Sequence, residues 1–311
     1  MMRILVYRGD GRIEQWLDEL GQALPQAAIV GWKDGEPRPA ACDYAVIWAP
    51  SPALLEQLAR VKAVFLMGAG VDAILKHGDA LPAAPIIRVG DAGMADQMAE
   101  YVLYGVLRYF RQMPQYEAFE REHSWRPLPH PDRDSFTVGV MGTGKLGMRV
   151  VGALRHFGFP VRIWSRSARE VAGVECFAGK DQLDEFLRGT RALACLLPLT
   201  PETTGLFDRE RLSRLPQGAF IINVSRGAIF VEDDLLSLVR EDHIAGALLD
   251  VFEEEPLDAG HPFWDEPRVT VTPHISGRTI VRETVRQIVR KIAALEQGQP
   301  VDDVVDRNRG Y

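Results

Sequence analysis

Three short segments bring together residue types that can work on an anionic carbonyl compound: Arg226-Gly227, Glu255-Pro256 and Pro273-His274, each just after an apolar run. A guanidinium can hold a carboxylate through two parallel bonds and polarise the carbonyl beside it. A glutamate buried beside a histidine favours the imidazolium, which makes that histidine a proton donor near neutral pH. Arg226, Glu255 and His274 are therefore the candidate catalytic set. The chemistry they suit is protonation of an oxygen that gains charge next to an anchored acid group.

A fourth segment, Gly142-Thr143-Gly144-Lys145-Leu146-Gly147, follows the strand-like VGVM and opens the helical LGMRVVGALRHFG. Its first glycine permits a tight turn, its second lets backbone approach a pyrophosphate, and its third allows helix to pack on strand. The helix N-terminus then offers unpaired N–H groups to the anion. The next strand, VRIWS, ends in Ser165-Arg166-Ser167, where an NAD enzyme would carry an acid for the ribose 2′-hydroxyl. Two hydroxyls and a guanidinium suit a 2′-phosphate instead, which favours NADP over NAD. The cofactor-facing set is read as Gly142, Gly144, Lys145, Leu146, Gly147, Ser165, Arg166, Ser167, Leu197, Pro198, Val224, Ser225, Asp250, Ser276 and Gly277.

These residues must be positioned by a sheet. After residue 135 the apolar runs VGVM, VRIWS, ALACLLP, FIINVS, GALLDVF and VTVTP alternate with helical spacing, as in an open parallel α/β sheet. Ligands bind such sheets outside the carboxyl ends of the strands, so Gly142, Arg166, Pro198, Arg226, Glu255 and His274 are expected on one edge. The first hundred residues hold five more strand-like runs, RILVY, AAIVGW, YAVIWAP, AVFLMGAG and PIIRVG. Between the two sets, apolar residues recur at helical spacing from Met98 to Phe119, which predicts one long helix before the Pro-rich HSWRPLPHPDRDS. A last amphipathic helix is predicted over about 278–297. The expected architecture is α/β, with two Rossmann-like or flavodoxin-like lobes, doubly wound parallel sheets and an inter-domain cleft. Residues 1–98 with 279–311 form the substrate-binding domain. Residues 99–278 form the dinucleotide-binding domain.

A chain of 311 residues is long enough for two cores. A net charge of −7 argues against a nucleic-acid or anionic-membrane partner. The start MMRILVYRGDG is too short in apolar residues for a signal peptide, and no later stretch would span a bilayer, so a cytoplasmic protein is expected. Cys42, Cys176 and Cys195 read as reduced structural thiols, and the remaining histidines lack ligand-like spacing, so no metal is expected.

Taken together, GAGVD (68–72), GTGKLG (142–147), LLPLTPETTGLF (196–207), NVSRGAIFVEDDLL (223–236), LLDVFEEEPL (248–257) and TPHIS (272–276) resemble the D-isomer-specific 2-hydroxyacid dehydrogenases over nearly the whole chain. The family uses an Arg, a Glu and a His in the last three motifs, here Arg226, Glu255 and His274. WSRS, VEDDLL and the ending VDRNRGY are similar to its glyoxylate/hydroxypyruvate reductase A group. That likeness implies NADPH-dependent reduction of glyoxylate to glycolate and of hydroxypyruvate to D-glycerate. It also implies substrate binding by the backbone amides of Ala69 and Gly70, and a homodimer built on an arm over about 99–135. Trp125 on that arm is a candidate to enter the partner's pocket, with a surface or arm-packing role as the alternative. Trp48, Met67 and Trp125 would confine the pocket. A reductase of a bulkier acid such as phenylpyruvate and a dinucleotide-sensing binding protein remain open, the latter less favoured because Arg226, Glu255 and His274 are all present.

Overall fold

The computed structural model describes residues 1–37 and 39–310. Its first segment forms β1 (Arg3–Arg8), α1 (Glu14–Ala23), β2 (Ala28–Gly31), β3 (Tyr44–Trp48), α2 (Pro52–Leu55), β4 (Ala63–Leu66), α3 (Asp72–Leu75) and β5 (Ile86–Ile87). The five strands make one parallel sheet in the order β2-β1-β3-β4-β5, with Ile4 opposite Tyr44 and Val64 opposite Ile86. Parallel strands covered on both faces read as continuous apolar runs, and AVFL of β4 is buried throughout.

The second segment runs from α4 (Met94–Phe110) and α5 (Met113–Arg121) into β6 (Val138–Met141), α6 (Lys145–His156), β7 (Val161–Ser165), β8 (Glu175–Ala178), α7 (Leu183–Arg188), β9 (Ala192–Cys195), α8 (Arg209–Leu212), β10 (Ala219–Asn223), α9 (Glu232–Arg240), β11 (Ile244–Leu249) and β12 (Val269–Val271). Seven parallel strands lie in the order β12-β11-β10-β9-β6-β7-β8, so strand order reverses between β6 and β9. Alternation along β10 divides its side chains between two layers. Phe220 and Ile222 pack with Val102, Val106, Val150 and Leu154 of α4 and α6, while Ala219 and Ile221 pack with Phe186, Leu212, Leu235 and Val239 of α7, α8 and α9.

Two expectations are corrected here. The helix expected as continuous from Met98 to Phe119 is broken, because Gln112 is left-handed at φ 57° and Pro114 lies in the first turn of α5. Proline has no N–H for the Phe110 carbonyl, and its ring would collide with that carbonyl in an unbroken helix. The sheet also has a seventh strand, β8, whose ECFA is too short and too polar to stand out as an apolar run.

α10 (Val281–Glu296) belongs with the first segment: Val285, Ile288 and Ile292 pack against Ile4, Val6, Trp16 and Tyr44. The tail that follows pairs Val304 antiparallel with Ile87. Lys291, 3% exposed, holds the tail by a 3.0 Å ion pair to Asp303. The chain divides into two compact units, Met1–Gly93 with the residues from Thr279 onward, and Met94–Arg278. No helix among the described residues is long and apolar enough to cross a membrane.

Candidate active site

In the second unit, β6 delivers the glycine loop at the point where strand order reverses. Gly142 has φ 101°, and a Cβ there would lie 2.6 Å from the Leu196 carbonyl oxygen. At Gly147 a Cβ would lie 1.8 Å from the Gly142 carbonyl oxygen, so α6 can meet the strand only through glycine. Gly144 differs: nothing lies within 4 Å of its Cβ position, and it precedes α6 without a side-chain cap. The first turn of α6 thus presents uncapped backbone to open space, a cradle that fits a pyrophosphate. Lys145 is exposed beside it, Leu146 is partly covered, and Gly147 is buried.

At the end of β7, Arg166 and Ser167 are exposed, and the Ser165 hydroxyl donates to the Ser167 carbonyl at 2.9 Å. The turn is thereby set with Arg166 at its tip. The Arg169 guanidinium bonds the Thr143 carbonyl of the glycine loop, which puts a second cation at this mouth. Sequence reasoning missed Arg169, although its place three residues after Arg166 was the available signal. The same region carries an acid: Glu202's carboxyl is lowered by its own backbone N–H and the Thr200 hydroxyl, then by the charges of Arg166 and Lys180.

Arg226 follows β10, and a buried asparagine builds its turn. Asn223 accepts from the Ser225 N–H at 3.1 Å and the Ser225 hydroxyl at 2.6 Å, and its amide donates to the Arg226 carbonyl at 3.1 Å. The Arg226 side chain is half-buried, with Nη1 donating to the Ser225 carbonyl at 2.6 Å. At Gly227 a Cβ would fall 1.9 Å from the carbonyl carbon of Phe252 and 2.2 Å from the Glu253 nitrogen. The Arg226 turn is therefore pressed flat against the loop that carries Glu255.

His274 Nδ1 lies 2.8 Å from Glu255 Oε2, while Glu255 Oε1 accepts from the Phe252 N–H at 3.1 Å. Burial alone would raise the Glu255 carboxyl. The hydrogen bond and charge of His274, the Phe252 N–H and the charge of Arg226 outweigh that and hold it below the usual carboxylate range. The expected burial of this glutamate is corrected: the side chains of His274 and Glu255 are 45% and 36% exposed.

His274 itself has φ 53°, a conformation uncommon for a residue with a Cβ. Asp250, fully buried after β11, holds it there. The Asp250 carboxylate accepts from Thr272 Oγ1 at 2.6 Å, the Ile275 N–H at 2.8 Å and the Ser276 N–H at 2.8 Å. Its carbonyl accepts from the His274 N–H at 2.9 Å. Thr272 Oγ1 also meets the Tyr101 hydroxyl at 2.5 Å, and since threonine has spent its one proton on Asp250, Tyr101 is the donor. Burial, helped by the Asp250 charge and opposed by the Thr272 hydrogen bond, raises the Tyr101 phenol and keeps that proton on it. Asn223, Thr272 and Tyr101 were not foreseen, because nothing local in the sequence links them to the site.

Residues 103–276 match the model of the D-isomer specific 2-hydroxyacid dehydrogenase NAD-binding domain. The chain is 46% identical to glyoxylate/hydroxypyruvate reductase A of Serratia proteamaculans, with the whole of both chains covered. It belongs to the D-isomer-specific 2-hydroxyacid dehydrogenases. Among solved structures, a D-isomer-specific 2-hydroxyacid dehydrogenase of Xanthobacter autotrophicus in complex with NADPH and MES is 40% identical. It superposes with a TM-score of 0.94, covering 100% of this chain and 99% of that one. The NADPH-dependent glyoxylate/hydroxypyruvate reductase of Sinorhizobium meliloti, in complex with NADP and sulfate, is 37% identical with a TM-score of 0.94 over all of both chains.

Of the remaining residues expected to serve this 2-hydroxyacid dehydrogenase, Leu197, Val224, Ser225 and Ser276 are buried under the strand ends, with Pro198 and Gly277 half-buried beside them. In the first unit, Ala69 and Gly70 form a partly exposed loop after β4, and the Trp48 ring lies against Gly68. Met67 is 1% exposed and packs in the core, so its side chain is not presented to a substrate. Trp125 is 99% exposed on the loop after α5. Among the described residues no His, Cys, Asp and Glu group is arranged to hold a metal. The three cysteines are free thiols, and burial pushes Cys195 up to about 11, the wrong direction for a nucleophile.

Proposed function

We propose that this chain reduces small 2-oxo acids, glyoxylate and hydroxypyruvate among them, with NADPH as the reductant. The observation that carries the reading is the 2.8 Å pairing of His274 with a Glu255 carboxyl that is itself held ionised, beside the Arg226 turn. Arg226 binds the substrate carboxylate and orients the adjacent carbonyl. With Nδ1 engaged by Glu255, His274 keeps Nε2 for the carbonyl oxygen and protonates it as negative charge develops there. Glu255 stabilises the charged imidazole before the transfer. The α6 N-terminus would hold the pyrophosphate of the cofactor, and Arg166 with Arg169 would hold the 2′-phosphate. When bound, the reduced nicotinamide supplies the hydride.

The names of the relatives support the same substrates. Substrate contacts from the Ala69–Gly70 loop, a homodimer in which Trp125 meets a second copy, and a cytoplasmic location belong to this reading too. The deciding experiment is the rate of NADPH and NADH oxidation with glyoxylate, hydroxypyruvate, pyruvate and phenylpyruvate. A preference for NADPH with the two small acids supports the proposal. Preference for phenylpyruvate, or no turnover with any of the four, refutes it.

A further inference from the structure

The Glu255 loop is tied from behind by a side chain outside the catalytic set. Glu232, the first residue of α9, accepts the Glu253 N–H on Oε1 at 2.9 Å, and its Oε2 lies 3.3 Å from His261 Nε2. Both side chains are largely covered, at 17% and 23% exposure. His261 is fixed in turn: its Nδ1 accepts the Phe263 N–H at 3.3 Å, and its ring lies 4.7 Å from that of Phe263, a residue 1% exposed. With Nδ1 accepting, the neutral ring carries its proton on Nε2 and points it at Glu232. The chain of contacts runs from the buried Phe263, through His261 and Glu232, to the Glu253 amide. Glu253 lies two residues before Glu255 and one after Phe252, whose N–H holds Glu255 Oε1.

Gly227 bears on the same two residues, Phe252 and Glu253, from the Arg226 side. The Glu255 loop is thus clamped on one side by backbone apposition and on the other by Glu232. We infer that Glu232, oriented by His261, is a positioning residue that sets the height and angle of Glu255 toward His274. This rests on the reading of Glu255 and His274 as the acid pair. Glu232 touches neither reacting atoms nor the glycine loop, so its contribution should appear in the chemical step and not in cofactor binding.

The test compares Glu232→Met, which keeps length and loses the acceptor, with Glu232→Gln, which keeps an acceptor oxygen for Glu253 and loses the charge. Glu232→Ala serves as a second truncation, and Glu255→Gln runs alongside. Measured are kcat and KM for glyoxylate, NADPH affinity by fluorescence titration, and Tm. The expectation is that Glu232→Met lowers kcat about tenfold, while NADPH affinity and KM stay within about twofold. Glu232→Gln keeps the bond from Glu253 but turns its amide toward the His261 Nε2–H, so it should recover part of the kcat lost in Glu232→Met and stay below the parent. The inference is overturned if Glu232→Met and Glu232→Ala both keep parental kcat while Glu255→Gln loses it. It is also overturned if Gln is as damaging as Met, or if NADPH affinity falls in step with kcat. Should Glu255→Gln itself turn over at the parental rate, the acid-pair reading fails instead.

Discussion

Asp250 offers the sharpest test of how the structure holds His274. Three donors converge on its carboxylate, two on Oδ1 from Thr272 and Ile275 and one on Oδ2 from Ser276. In Asp250→Asn one oxygen becomes an amide that can only donate. If the remaining oxygen keeps Thr272 and Ile275, the amide faces the Ser276 N–H, donor against donor. An unsatisfied buried N–H costs about 1–3 kcal/mol, and weakening the other two bonds from charged to neutral adds about 1 kcal/mol more. A loss of about 2–4 kcal/mol can be relieved in only two ways. The loop over residues 272–276 stays and the protein loses about 4–16 °C in Tm, at the slope usual for units of this size. Alternatively the loop shifts, His274 leaves its φ of 53°, and kcat falls about ten- to a hundred-fold. Steady-state kcat and KM for both substrates, with Tm on the same samples, separate the two. Thr272→Val should show a smaller effect in the same direction, and Tyr101→Phe a smaller one still. If Asp250→Asn keeps kcat and Tm and raises only the KM for NADPH, Asp250 is a cofactor contact and the anchoring argument is wrong.

Other expected outcomes follow from the same geometry. His274→Gln should retain NADPH binding and Tm and lower kcat by about 10²- to 10⁴-fold, which single-turnover NADPH oxidation would show. Glu255 is held below the usual carboxylate range, so its stabilising charge is complete above that range and is lost as pH falls through its lowered value. With Glu255→Gln that negative charge is absent at every pH, so kcat should fall and the acid-side loss that follows protonation of Glu255 should vanish from the profile; a superimposable profile excludes the pairing. Arg166→Ala should weaken NADPH by about tenfold at fixed moderate salt and leave NADH nearly unchanged, since the exposed contact is partly screened. Equal weakening of both cofactors in the ratio of kcat/KM values would return Arg166 to the solvent.

What the sequence disclosed divides along a physical line. The strands after residue 135 were legible because parallel strands buried on both faces must be continuously apolar, and the glycine loop was legible because Gly142 and Gly147 have no room for a Cβ. β8 escaped because an edge strand need not be apolar, and Glu175 and Cys176 look like loop. The break at Gln112 was signalled by Pro114, but the apolar spacing on either side outweighed it in the reading. Asp250 was named for a cofactor role, whereas its role in the loop depends on Thr272, Ile275 and Ser276, all more than twenty residues away. No local pattern encodes such a contact. The exposure of Glu255 and His274 was misjudged for a related reason: burial of a loop residue is set by what surrounds it, and charge runs such as Glu253-Glu254-Glu255 carry no periodicity to read.

Distance from the strand end explains how the support is distributed among the site residues. Gly142 directly follows Met141 of β6, and its position is inherited from the sheet. Arg226 and His274 each stand three residues past their strands, after Asn223 and Val271, and each needs one buried polar side chain to set its turn: Asn223 itself for the first, Asp250 for the second. Glu255 stands six residues past Leu249, and the longer reach has more conformational freedom to lose. Its loop is correspondingly held by three unrelated devices, the Phe252 N–H, the flat contact with Gly227 and the Glu232 carboxylate. A bulkier residue at 227 would therefore act directly on the Glu255 loop, since the Cβ of Gly227→Ala would collide with the Phe252–Glu253 backbone.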